Sequence, residues 1–194
     1  MEFNRCNWCL TNDVYTKYHD QEWGVPKTGD RDLFELLVLE SFQAGLNWLT
    51  ILKKRENFRE SFANFEIHTV AEFSQKDILK LLQNKGIIRH RGKIEACIHN
   101  ANLVLEIQKN QNSFSEFLWK YVDFKPIQNQ YSDLNEIPSQ TNLSRKLSKD
   151  LKKIGFKFMG PTTTYAFMQA AGLVNDHLTC CFRFNEVRQI GLDL

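Results

Sequence analysis

The stretch "LFELLVLESFQAGLNW", Leu33 to Trp48, decides the fold. At about 100° per residue, Leu33, Leu36, Leu37 and Ala44 fall on one stripe and predict a core-facing helix, with Glu40 inside that stripe. An inward carboxylate costs several kcal/mol unless it is paired, protonated or turned toward a polar pocket. The segment therefore predicts a helix and, beside it, something that compensates an acid.

The same period recurs outward from this segment, over 32–42, 48–55, 76–82, 93–107, 115–122, 144–154 and 162–171, and no run of alternating β-branched residues interrupts it. The expected class is all-α, with short connections punctuated by Gly29, Gly45, Gly86, Gly92, Pro138, Gly155, Gly160 and Gly172. Residues 123–142 lack helical periodicity and are expected to cross between lobes. The final stretch, "FRFNEVRQIGLDL", reads equally as a short helix or a frayed tail.

Composition sets the class. A chain of 194 residues that is 42% hydrophobic and 12% aromatic folds and can bury one core, or two small lobes around a cleft. No apolar run approaches the roughly 20 residues that span a bilayer, and "MEFNRCNWC" lacks the basic-then-apolar order of a secretory signal, so a cytoplasmic location without membrane partners is expected. Five cysteines then read as buried or metal-binding rather than as a disulfide framework. The net charge of +2 is mild, but "LKKRENFR" (52–59), "NKGIIRHRGK" (84–93) and "SRKLSKDLKKIGFK" (144–157) concentrate cations and predict a basic face.

Three constellations carry chemistry. Cys6 and His19 near the start, with His177 and Cys181 near the end, make a Cys2His2 set for a tetrahedral metal. On a helix the last two, at i and i+4, would point the same way. Four protein ligands leave no position for water, so such a zinc would be structural. Unrelated buried cysteines and surface histidines fit the spacing equally, and Cys9 and Cys180 compete as ligands. "NKGIIRHRGKI" (84–94) reads as a tight turn between two helices, in which Gly86 relieves a positive φ and helix-start amides, with Arg89, Arg91 and Lys93, hold phosphate. Trp8, Tyr15, Tyr18, Trp23 and Trp48 supply flat side chains that either fill the core or sandwich a base.

Taken together, "CNW", "YHDQEWGVP", "LFELLVLESFQAGLNW", "ILKKRENFR", "GIIRHRGKI" and "LKKIGFKFMGPTTTYAFMQAAGLVNDH" with its following cysteine resemble the 3-methyladenine DNA glycosylase I family of the helix-hairpin-helix glycosylase superfamily, from Cys6 to Cys181. The resemblance implies a single glycosylase domain over 1–181, made of two helical lobes, with a helix-hairpin-helix element at about 76–107 and a tail at 182–194. It implies one structural zinc on Cys6, His19, His177 and Cys181. It also implies a monomer that acts on double-stranded DNA containing 3-methyladenine. Glu40 would contact the modified base, as the one strong candidate for a catalytic carboxylate, and Trp8, Tyr15, Tyr18 and Trp48 would shape the pocket. Gln43, Gly45 and Leu46 would form a wedge that fills the gap left by a flipped nucleotide. No aspartate matches the one that assists water in many relatives of the superfamily. No lysine is placed as a Schiff-base nucleophile, so hydrolysis leaving an intact abasic site is expected.

Overall fold

The helix that Leu33 begins to announce runs from Asp30 to Gln43, and every residue from Leu33 to Phe42 is buried. It is therefore a central helix covered on all sides, not one with a single buried stripe. Asp30 and Asp32 place negative charge in its first turn, against the positive end of the helix dipole.

A computed structural model describes residues 4–192. Its helices, in chain order, are α1 (Asp13–Gln21), α2 (Asp30–Gln43), α3 (Trp48–Ser61), α4 (Ile67–Ala71), α5 (Gln75–Gln83), α6 (Arg91–Gln111), α7 (Phe114–Trp119), α8 (Asn142–Ile154), α9 (Pro161–Ala170) and α10 (Phe182–Ile190). Helix starts follow local chemistry. Asn12, Asn47, Ser113 and Thr141 accept hydrogen bonds at the first turns of α1, α3, α7 and α8, Ser74 and Asp77 close a capping box on α5, and Pro161 opens α9. The closing segment, which the sequence left open, is helical as α10; residues 193–194 of the expected tail lie outside the described residues.

The core gathers α2, α3, α6, α7, α8 and α9 around Leu37, Phe42, Phe58, Phe62, Phe114 and Phe167, each fully buried. Burying one such side chain contributes roughly 1.5–3 kcal/mol. A smaller cluster of Cys6, Tyr18, Trp23, Leu178 and Cys181 packs beside it, and Trp48 touches both. Gly172 shows how tightly the chain is threaded: it ends α9 at φ +73°, and a Cβ there would lie 2.4 Å from the Pro26 nitrogen.

The all-α expectation needs one small amendment. Within the aperiodic 123–142 segment, β1 (Ile127–Gln128) pairs in parallel with β2 (Val174–Asn175). This ladder ties the long connection to the chain leaving α9.

Candidate functional site

Glu40, on α2, lines a cavity of about 520 Å³ together with Trp8, Tyr15, Tyr18, Gln43 and Trp48. All six were singled out in the sequence. Glu40 is 4% exposed and accepts no hydrogen bond from another described residue, and burial pushes its carboxyl up to about 8. The contrast lies five residues earlier on the same helix. Glu35 is equally buried but accepts from Arg55 Nε at 2.7 Å and Arg59 Nη2 at 2.8 Å, as a buried charge requires. One acid is compensated by the protein; the other is left for the cavity.

The aromatic wall is fixed by its neighbours. The Tyr15 hydroxyl donates to Asn47 Oδ1 at 3.1 Å and accepts from the Leu49 amide at 3.0 Å, which pins the start of α3 and hence Trp48. The Tyr18 ring lies 5.7 Å from that of Trp48; burial, followed by the nearby Glu40 and Glu22 charges, holds its phenol well above the ordinary value, so it stays a donor. Trp8 meets Tyr15 edge-on at 5.6 Å and Trp23 at 5.1 Å.

The remaining wall was missed in the sequence. Leu134 and Ile137 come from the 123–142 connection, and Ala166 and Gln169 from α9. Gln169 Nε2 donates to Asp176 Oδ2 at 2.7 Å, and Asp176 also accepts from Tyr165 at 2.6 Å and Asn129 at 2.7 Å. Because a carboxylate only accepts, the Gln169 carbonyl oxygen is the atom left for the cavity. Asp176 itself stands behind the wall with all its donors supplied by protein. Only the apolar period of α9 was visible in sequence, and nothing in it marks which glutamine a distant aspartate will orient.

Cys6, His19, His177 and Cys181 converge, all buried, with one ligand atom from each within 4.8 Å of the others. Cys181 Sγ lies 3.4 Å from His19 Nε2 and 3.7 Å from His177 Nδ1, and Cys6 Sγ lies 3.8 Å from His177 Nδ1. A tetrahedral ion held by two sulfurs at about 2.3 Å and two nitrogens at about 2.0 Å needs ligand separations of roughly 3.4–3.8 Å, so the donor set fits a metal ion. Cys181 is held far below the thiol range, first by its hydrogen bond from Cys6, against burial and with help from His177 and His19; the same bond and burial push Cys6 up. The outward ring nitrogens are also anchored, His19 Nδ1 on Asp20 Oδ1 at 2.8 Å and His177 Nε2 on the Trp23 carbonyl at 3.0 Å, which fixes each imidazole. Cys9 and Cys180 are outside the set. One expectation is corrected: His177 and Cys181 are not on a helix. They meet across the turn that precedes α10, closed by the Cys181 amide on the Leu178 carbonyl at 2.8 Å.

Beside the cavity mouth, the Gln43–Leu46 turn closes through the Leu46 amide on the Gln43 carbonyl at 2.6 Å. Gly45 takes φ +82° with nothing within 4 Å of where a Cβ would stand, and Leu46 is 42% exposed. The turn is an apolar-tipped projection.

Residues 84–90 join α5 to α6, and here three expectations change. Gly86 is not among the positive-φ glycines; it is needed because a Cβ would stand 2.9 Å from Asn84 Oδ1 and 3.0 Å from Asn57 Cγ, and its amide is taken by Asn84 at 2.7 Å. Lys93 does not face outward: it is 6% exposed, and Nζ donates to the Phe42 and Ala44 carbonyls, each at 2.7 Å. The basic run 52–59 is largely engaged by the protein itself, with Arg55 and Arg59 on Glu35 and Lys54 Nζ on the Lys85 and Gly86 carbonyls at 2.9 and 3.2 Å. Arg89 is exposed, and Arg91 is exposed in an i,i+4 pair with Glu95.

Among known proteins, the family described as methyladenine glycosylase matches residues 8–184. DNA-3-methyladenine glycosylase 1 of Escherichia coli (strain K12) is 50% identical over 184 residues, covering 94% of this chain and 98% of that protein. A crystal structure of 3-methyladenine DNA glycosylase I superimposes with a TM-score of 0.90 at 52% identity, covering 92% of this chain and 98% of the other. The structure of the Staphylococcus aureus 3-methyladenine DNA glycosylase I, described for its recognition of 3-methyladenine, does so at 0.89 and 44%, covering 93% and 96%.

Proposed function

From the premise that the chain belongs to the methyladenine glycosylase family, we propose that it excises 3-methyladenine from alkylated double-stranded DNA by hydrolysing the N-glycosidic bond, as a repair enzyme of the cytoplasm. The observation that carries this reading is the aromatic cavity with a single buried acid, Glu40, that the protein leaves unpaired. A flat, cationic guest is what that combination accommodates. Trp48 and Tyr18 offer faces for stacking, and Trp8 and Tyr15 close the side.

Methylation at N3 makes the nucleotide's adenine cationic, so the base leaves as a neutral molecule and needs no proton from the enzyme. The work that remains is to flip the nucleotide, hold the base, favour positive charge developing on the sugar and admit water at C1′. Glu40 rests mostly protonated near neutral pH because it is buried; a cation sharing the cavity favours its ionised form. The carboxylate and the damaged base then stabilise each other, and neutral adenine gains nothing comparable. Discrimination begins with charge.

Leu46 at the tip of the Gln43–Leu46 turn is the wedge that fills the vacated stack. The α5–α6 pair, with the turn between them, serves as a helix-hairpin-helix element, and Arg89 and Arg91 are its phosphate contacts. Lys93 is no Schiff-base nucleophile, since its ammonium is held by two carbonyls; the reaction stops at an abasic site. The ion that suits Cys6, His19, His177 and Cys181 is zinc, with all four positions filled by protein and a purely structural task. It fastens the wall that carries Trp8 and Trp23, whose rings lie 5.5 Å from His19 and 4.7 Å from His177 respectively.

The test is free-base analysis by chromatography and mass spectrometry after incubation with methylated duplex DNA. Release of 3-methyladenine without strand cleavage is expected, and much less 7-methylguanine. Protein that binds the DNA and liberates no base would instead be a damage sensor.

A further inference from the structure

We propose that Lys93 is a positioning residue for excision: it clasps the base of the Gln43–Leu46 wedge to the first turn of α6, so that the seating of the hairpin on DNA sets where Leu46 enters. This rests on the reading of that turn as the wedge. The Phe42 and Ala44 carbonyls belong to the last turn of α2, where carbonyls lack partners within the helix. The helix brings no basic residue of its own to that turn. Ala44 leaves at φ −49°, ψ 115°, and the turn through Gly45 returns the Leu46 amide to the Gln43 carbonyl, not to those of Phe42 and Ala44. A cation at the negative end of the dipole therefore has to come from elsewhere. Lys93 supplies it from 49 and 51 residues away.

Two further features make this more than a buried amine. Among the described residues, Lys93 provides the one side-chain hydrogen bond that reaches Ala44, Gly45 or Leu46 from outside the turn. Its own backbone amide is held by the His90 ring at 3.2 Å, the cap of α6 at the end of the 84–90 connection. Hairpin, α6 and wedge are thus joined through one residue. Glu40 stands two positions before Phe42 on the helix being clasped, so the same contact links the wedge to the cavity acid.

The experiment pairs Lys93→Met, which keeps length and removes the donors, with Leu46→Ala, which shortens the exposed tip. On the free protein, hydrogen exchange of amides 44–47 should quicken in Lys93→Met while that of the α2 interior is kept. Single-turnover release of 3-methyladenine from duplex DNA should fall about tenfold or more, the size expected for losing charge-assisted hydrogen bonds. In the Leu46→Ala background the same change should cost less than about twofold, because coupled residues are not additive. Unchanged exchange, or losses that simply multiply while Leu46→Ala alone is slow, would overturn the role of Lys93. Leu46→Ala working at the wild-type rate would sink the wedge reading, and the coupling with it. Should Lys93→Met not fold, Lys93→Gln, which keeps an uncharged NH2 donor on a shorter side chain, goes through the same cycle with a smaller loss expected and is judged by the same two outcomes.

Discussion

Two glutamates on α2 illustrate what a single residue's surroundings decide. Glu35 and Glu40 are both buried, yet only Glu35 has arginines, and those arginines lie 20 and 24 residues further along the chain. The burial of Glu40 was legible because it shares a stripe with Leu33, Leu36 and Leu37, although the helix is covered on its other faces too. The pairing of Glu35, like the inward turn of Lys93, was not, because each depends on which distant element packs alongside. Glu40 also yields a signed prediction. Its carboxyl titrates near 8 in the folded protein against 4.5 as a free side chain, so the folded state holds its proton where the unfolded chain has lost it. Stability attributable to this group is therefore full below about pH 4.5, is lost as pH rises toward 8 and is flat beyond. Glu40→Gln removes the loss: in urea unfolding the variant should match wild type near pH 4.5 and exceed it at pH 8 by up to a few kcal/mol. Its excision of 3-methyladenine should fall about a hundredfold, the scale of losing one preorganised electrostatic group. A variant both more stable and less active places the acid there for function.

At the scale of elements, the long helices were readable because their apolar residues repeat over several turns, as from Leu33 to Phe42. Others escaped for physical reasons. α4 spans only Ile67–Ala71, too short to show a period, and α1 is rich in polar and aromatic residues because its buried face is Tyr18 and His19 rather than aliphatic. The left-handed turn of Ala63, Asn64 and Phe65, at φ 50°, 52° and 57°, carries no glycine to announce it. The junctions between elements are testable. Tyr15→Phe removes the hydroxyl that joins α1 to the start of α3 and should lower stability by about 1–2 kcal/mol, read as a shift in the unfolding midpoint. Gly172→Ala forces a Cβ against Pro26 and a strained φ, and should cost a few kcal/mol or more, with reduced soluble yield as the coarser sign.

For the molecule as a whole, the metal cluster decides most. Its four ligands were legible as residue types, and their choice over Cys9 and Cys180 came from the family resemblance and not from spacing, since only the fold brings residue 6 to residue 181. For the zinc proposed on these ligands, chelation, or Cys181→Ala with loss of the ion, should lower the unfolding midpoint substantially, because binding energy at such a site is folding energy. Tryptophan emission should shift at the same time, as Trp8 and Trp23 lie against the histidine ligands. A protein that binds no metal and keeps full thermal stability would remove the site from the fold. The same cluster also imposes a timetable on synthesis. Cys6 and His177 lie 171 residues apart, which a ribosome adding about 5–20 residues per second takes on the order of ten to thirty seconds to traverse. Trp8, Tyr15 and Tyr18 are thus made long before the residues that secure them. Until His177 and Cys181 leave the exit tunnel, the nascent chain holds an open aromatic surface with two unclaimed ligands, and the cavity waits on them for its completion.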